Sequence, residues 1–208
     1  MDVNKKVEEL KIVPVVVLQE VKDAVPLAKA LVEGGLPVAE VTFRTAAAAD
    51  SIKAIREAYP DMLVGAGTVV NTEQALKAKE AGAQFIVTPG FSREVVQFAI
   101  VNGIPVFPGC CTPTEVVMAM EFGLKVVKFF PASRYGGLET IKALGGPFPQ
   151  IRFMPTGGIN AGNIKEYLED PKVIACGGSW MVKESLIKEG KFDEITKMTK
   201  EAVELVTA

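Results

Sequence analysis

The chain of 208 residues contains no histidine. That absence excludes the Ser-His-Asp triad, the Cys-His pair and most catalytic zinc sites. Acid–base chemistry would have to run on Glu, Asp, Lys, Tyr or water. Cysteine is scarce, with Cys110 and Cys111 side by side and Cys176 far away. An odd count without framework spacing reads as free thiols in a reducing, cytoplasmic setting. With so few candidate ligands, no metal and no other cofactor is expected. Neither charge sign dominates: 23 Lys and Arg stand against 25 Asp and Glu, a net charge of −2. There is therefore no basic footprint for nucleic acid or an anionic membrane. No run approaches the ~20 apolar residues that cross a bilayer. Residues 1–10 alternate in charge and lack the apolar stretch of a signal peptide, so they read as a short amphipathic helix.

What is present is a regular alternation. Apolar, strand-like runs fall at 12–18, 37–43, 62–66, 84–88, 104–107, 125–130, 151–155 and 173–175. Helical stretches follow them at 21–33, 46–59, 72–81, 92–101, 113–122, 138–144, 163–168 and 192–206. Asn71-Thr72-Glu73 and Thr112-Pro113-Thr114-Glu115 open helices; Gly34-Gly35, Gly82, Gly103 and Gly123 end them. Strand–helix units of ~25 residues predict an α/β protein, a (β/α)8 TIM barrel in one domain over 1–208. An open doubly wound sheet is the alternative.

In a barrel, function sits at the C-terminal strand ends. The sixth run, Val126-Val127-Lys128-Phe129-Phe130-Pro131, holds a lysine among apolar neighbours. An ammonium there must lose its proton, find a partner or snorkel to water. A neutral lysine is a nucleophile for carbonyl carbon. On the second run, Glu40, Thr42 and Arg44 share one face and Val41 and Phe43 the other. The polar set is expected to point inward, either as a structural Glu–Arg pair or as working groups. Thr68 offers a hydroxyl after the third run. Thr88-Pro89-Gly90 and Pro108-Gly109-Cys110-Cys111 read as turn and packing residues. Gly157-Gly158 and Gly177-Gly178-Ser179 follow runs seven and eight, the usual barrel phosphate site. Glycine turns and helix N-termini can cradle a phosphate dianion without a dedicated lysine. An amine, a carboxylate, a guanidinium and a phosphate cradle in one mouth suit Schiff-base chemistry on a small keto acid phosphate.

Five segments carry a resemblance: Glu-Val-Thr-Phe-Arg-Thr (40–45), Val-Gly-Ala-Gly-Thr-Val (64–69), Val-Lys-Phe-Phe-Pro-Ala (127–132), Met-Pro-Thr-Gly-Gly-Ile (154–159) and Gly-Gly-Ser-Trp (177–180). In this order they resemble the 2-keto-3-deoxy-6-phosphogluconate (KDPG) / 4-hydroxy-2-oxoglutarate (KHG) aldolases. The resemblance implies a metal-independent class I lyase, usually a homotrimer. Its reaction is reversible cleavage of KDPG to pyruvate and glyceraldehyde 3-phosphate in the Entner–Doudoroff route, with KHG as a further substrate. It implies Lys128 as the Schiff-base lysine and Glu40 as general acid/base. Arg44 and Thr68 would bind the pyruvate carboxylate region; Gly157, Gly158 and Ser179 the phosphate; Pro89 and Phe130 would wall the pocket. Relatives acting on the galactonate epimer carry an arginine near the end of the first strand. Val15-Val16-Val17-Leu18-Gln19 has none, which favours the gluconate type. The alternatives are that galactonate activity, another phosphate-binding barrel isomerase or epimerase, or a non-catalytic scaffold.

Overall fold

A computed structural model describes residues 2–207 of the chain. It is an α/β structure built on a curled parallel sheet. In chain order the elements are α1 (Val3–Leu10), β1 (Ile12–Val16), α2 (Ala24–Glu33), β2 (Val38–Thr42), α3 (Ala48–Ala58), β3 (Leu63–Gly67), α4 (Thr72–Glu80), β4 (Ile86–Val87) and α5 (Arg93–Val101). There follow β5 (Val106–Phe107), α6 (Pro113–Glu121), β6 (Val126–Phe129), α7 (Gly137–Gly145), β7 (Arg152–Pro155), α8 (Ile164–Leu168), β8 (Cys176–Gly178), α9 (Glu184–Lys188) and α10 (Phe192–Thr207). The expected N-terminal helix is present as α1; Met1 lies outside the described residues.

Six strands form one sheet in the order β5-β4-β3-β2-β1-β8, and β6 pairs with β7. Single parallel bridges join Gly109 to Lys128 and Thr156 to Gly177. Two backbone hydrogen bonds seat Lys128 beside the end of β5: Cys110 N–H to the Lys128 carbonyl at 2.8 Å and Lys128 N–H to the Pro108 carbonyl at 2.9 Å. The strands are buried on both faces, as crossover helices require. Around Lys128, Val127 and Phe129 occupy the opposite face and are fully buried, with Phe129 meeting Phe153 edge to face at 6.4 Å. That packing holds the strand and so aims the lysine.

Two readings need correction. The eighth strand is Cys176–Gly178, not 173–175, where only Val173 makes a bridge. Gly177 and Gly178 are thus strand residues and not a turn. A Cβ on Gly177 would strike the Thr156 side chain, and one on Gly178 the Trp180 ring. Close packing needs bare backbone there, and glycine's low strand propensity hides the strand. A short helix, α9, also stands where none was expected. Elsewhere the differences are small. A 3-10 turn at Val21–Asp23 precedes α2, which starts at Ala24 because Pro26 is tolerated only in a first turn.

At the N-terminal end of the strands, Arg152 at the start of β7 grips Glu8 of α1 with two bonds of 2.6 and 3.1 Å. The Arg152 hydrogen bond holds the Glu8 carboxyl below its ordinary value of 4.5. The pair therefore stabilises above that value and loses its contribution as pH falls through the folded-state value. Both groups are partly exposed, so the gain is at most about 1 kcal/mol. Glu8→Gln should destabilise by that amount in urea titrations at pH 7, and parent and variant should converge as pH falls through the lowered Glu8 value; a gap that persists in acid below it would contradict the pairing.

Candidate active site

The site is built from strand ends. Glu40 lies at the middle of β2, paired with Val15 of β1 and Gly65 of β3, and is fully buried. Lys128 lies on β6 and is 4% exposed. Their side chains meet: Lys128 Nζ donates to Glu40 Oε1 at 3.3 Å. The ammonium also stands over the Phe130 ring, 5.1 Å from its centroid. Of the three fates open to a lysine in an apolar strand, this chain takes partnership. Glu40 Oε2 is buried with no partner among the described residues. Backbone crowds the carboxylate from below: a Cβ on Gly67 would lie 2.6 Å from Glu40 Cγ.

Arg44 does not pair with Glu40. The strand stops at Thr42, whose hydroxyl donates to the Val16 carbonyl at 2.8 Å, and Arg44 is exposed on the following turn. The inward face continues only as far as Thr42. Arg44 Nε reaches Thr68 Oγ1 at 3.4 Å, joining the ends of β2 and β3. Thr68 holds a left-handed backbone, φ 54°, the uncommon choice for a branched residue and one found at functional sites.

A cavity of about 560 Å³ opens at these strand ends. Arg44, Phe130, Gly157, Gly158 and Ser179 all line it. Lys128, Glu40, Thr68 and Pro89 do not; Phe130, which lines it, is also the ring under the Lys128 ammonium. Pro89 is half-buried at the end of β4, its carbonyl so close to Gly109 that a Cβ there would overlap it. Gly157 and Gly158 make a real turn, with φ of 93° and 82° that glycine tolerates best. The expected helix dipole is weak, however. α8 starts only at Ile164, and the Asn160 and Gly162 N–H groups are taken by the Asn163 and Asn160 side chains at 2.9 and 2.8 Å. The turn itself, not a helix end, faces the cavity.

Sequence reasoning missed Val15, Val17, Trp180, Lys183 and Glu184 in the lining. Alternation along β1 would have found the two valines. Lys183 and Glu184 were hidden by the misplaced eighth strand, which shifted the loop that follows it.

The thiols sit close by but are not primed. Burial pushes Cys110 far above the ordinary thiol range, Cys176 up to about 12, and Cys111 upward as well. Cys111 Sγ donates to the Phe130 carbonyl at 2.9 Å. Thiolate is the reactive form. Iodoacetamide at pH 8 should therefore label only half-buried Cys111, and slowly, until the chain is unfolded; prompt labelling of all three by mass spectrometry would contradict this arrangement.

Comparison with known proteins agrees with the geometry. A model of the "KDPG and KHG aldolase" family matches residues 3–198. The 2-dehydro-3-deoxy-phosphogluconate aldolase of Treponema pallidum is 49% identical over 199 residues, covering 96% of this chain and 95% of that one. The KHG/KDPG aldolase of Escherichia coli K12 is 47% identical over 193 residues, 93% and 91% of the two chains. Among solved structures, KDPG aldolase of Legionella pneumophila, with pyruvate captured as a covalent carbinolamine, superposes with a TM-score of 0.89 at 41% identity, covering 92% of this chain and 93% of that one. With a buried lysine–carboxylate pair, a cavity lined by the neighbouring Phe130 and a glycine turn, and relatives matching almost end to end, the chain belongs to the KDPG and KHG aldolase family.

Proposed function

We propose that this chain is a class I aldolase that cleaves KDPG to pyruvate and glyceraldehyde 3-phosphate through a Schiff base on Lys128, and that it also accepts KHG. The observation that carries this reading is the buried Lys128–Glu40 contact at 3.3 Å beside a cavity with an arginine and a glycine turn. Glu40 takes the ammonium proton. The free amine then adds to the C2 keto carbon, and the carbinolamine loses its hydroxyl as water with the proton that Glu40 returns, which leaves Glu40 a carboxylate again. The resulting iminium draws the electrons of the C3–C4 bond as that bond breaks, while the C4 hydroxyl gives its proton to Glu40, directly or through water. Glyceraldehyde 3-phosphate leaves. The enamine takes a proton at C3, and water releases pyruvate and the free lysine.

In this reading Arg44 and Thr68 hold the keto acid carboxylate, a pairing supported by their mutual hydrogen bond. Gly157, Gly158 and Ser179 hold the phosphate. Phe130 and Pro89 wall the pyruvate end, with Phe130 also covering the ammonium. The bridges at Gly109 and Thr156 support closure of the eight strands as one (β/α)8 barrel domain. Exposed apolar Leu76, Ile100, Val101 and Val117 on neighbouring α4, α5 and α6 fit a homotrimer contact. Three unlinked thiols fit a cytoplasmic, reducing compartment.

Lys128→Arg keeps the charge but forms no imine, so KDPG cleavage should fall to background. Glu40→Gln should lose about 10²–10⁴-fold in kcat, the usual weight of a general acid–base group. Gly67→Ala, which touches neither substrate nor lysine, should displace Glu40 and cost about a hundredfold. A coupled assay of pyruvate release measures all three, and parental turnover in Lys128→Arg would refute the reading.

A further inference from the structure

The cradle was expected to hold phosphate without a lysine, yet one lines the cavity. Besides Arg44, the charged side chains in its lining are Lys183 and Glu184. Among the described residues neither Arg44 nor Lys183 enters an ion pair. Glu184, the sequence neighbour of Lys183, is engaged elsewhere: its Oε1 accepts from Gln19 Nε2 at 2.9 Å, across from the loop after β1. That bond ties the carboxylate to the loop after β1; Glu184 keeps its charge in the mouth but makes no direct ion pair with Lys183.

The position of Lys183 is set by its neighbours. It lies four residues beyond Ser179, and the intervening segment is anchored. Met181 and Val182 are buried, and the Val182 N–H donates to the Ser179 carbonyl at 3.1 Å. The backbone of Lys183 is thereby fixed close to Ser179, at the N-terminal cap of α9, and its side chain is exposed at the mouth. Arg44 stands on the turn after β2, a separate part of the rim. The cavity thus presents two unpaired cations on two separate elements. A KDPG-like substrate carries an anion at each end, a carboxylate beside the keto group and a phosphate dianion at the far carbon.

We propose that Lys183 is a specificity-determining residue for phosphorylated substrates: its ammonium pairs with the phosphate monoester held at Gly157, Gly158 and Ser179. The proposal rests on the aldolase reading for the substrate's identity, but the phosphate contact is testable without turnover. On this proposal Lys183 meets the phosphate at the far end of a phosphorylated six-carbon acid. A five-carbon KHG brings no phosphate there and gains little from it.

The test uses the full chain, Lys183→Gln and Lys183→Arg. Charge-assisted pairing with phosphate predicts that Lys183→Gln raises KM for KDPG about tenfold with kcat within about twofold, and that Lys183→Arg recovers most of the loss. kcat/KM for KHG should move less than about threefold, because the pairing acts on the phosphate alone. Calorimetric titration with glycerol 3-phosphate should show the same tenfold loss, and the parent's affinity should fall with added salt more steeply than the variant's. Equal glycerol 3-phosphate affinity in parent and Lys183→Gln, or equal losses on KDPG and KHG, would overturn the proposal. A chain that binds glycerol 3-phosphate through Lys183 yet cleaves neither keto acid would uphold it while sinking the aldolase reading.

Discussion

A lysine and a glutamate facing each other out of reach of water constrain the rest of this structure. Lys128 and Glu40 come from strands far apart in the sequence, 88 positions, and meet in the interior. Removing two charges from solvent costs several kcal/mol each, and their attraction repays it only in good geometry. Here one carboxylate oxygen remains unpartnered, so the pair is not optimised for stability. Its surroundings are nonetheless arranged to preserve it. Phe129 and Phe153 lock the strand behind the lysine, the Phe130 ring covers the ammonium, and Gly67 yields its side-chain space to the carboxylate. Losing either partner would leave a buried charge at a cost of about 3–5 kcal/mol. A protein that keeps so expensive a contact uses it.

The site divides its work between a dry floor and a wet mouth. In the proposed reaction the ion pair supplies the nucleophile and the group that moves protons, shielded from the solvent that would hydrolyse an imine prematurely. The mouth, lined by Arg44, the Gly157-Gly158 turn, Ser179 and the rim residues of the β8–α9 segment, is assigned to recognition in the same proposal. Phe130 belongs to both, lining the cavity and meeting the ammonium. On that proposal chemistry and specificity can vary separately: a change at Lys183 alters which substrate is held, while the floor stays intact.

Most of this was legible in the sequence, for identifiable reasons. Short apolar runs alternating with amphipathic stretches give parallel strands and covering helices whatever the fine detail. Lys128 stood out because charge inside an apolar run is rare, and Glu40 because it shares the inward face of its strand. What failed did so where glycine replaced the usual signals. Gly177 and Gly178 lie in β8 because Thr156 and Trp180 leave no room for side chains, a tertiary demand invisible to local propensity. The misplaced strand then hid Lys183, Glu184 and α9. The partner of Glu40 was also open, since Arg44 lies close in sequence while Lys128 is brought near only by the fold.

The central claim is that Lys128 becomes covalently bonded to the keto carbon of its substrate. Borohydride reduction in the presence of pyruvate, followed by peptide mass spectrometry, tests it most directly. The account predicts a stable mass gain, on the order of one reduced pyruvate adduct per chain, confined to the peptide containing Lys128 and absent from Lys128→Arg. Loss of activity without any adduct, or an adduct on another lysine, would contradict it.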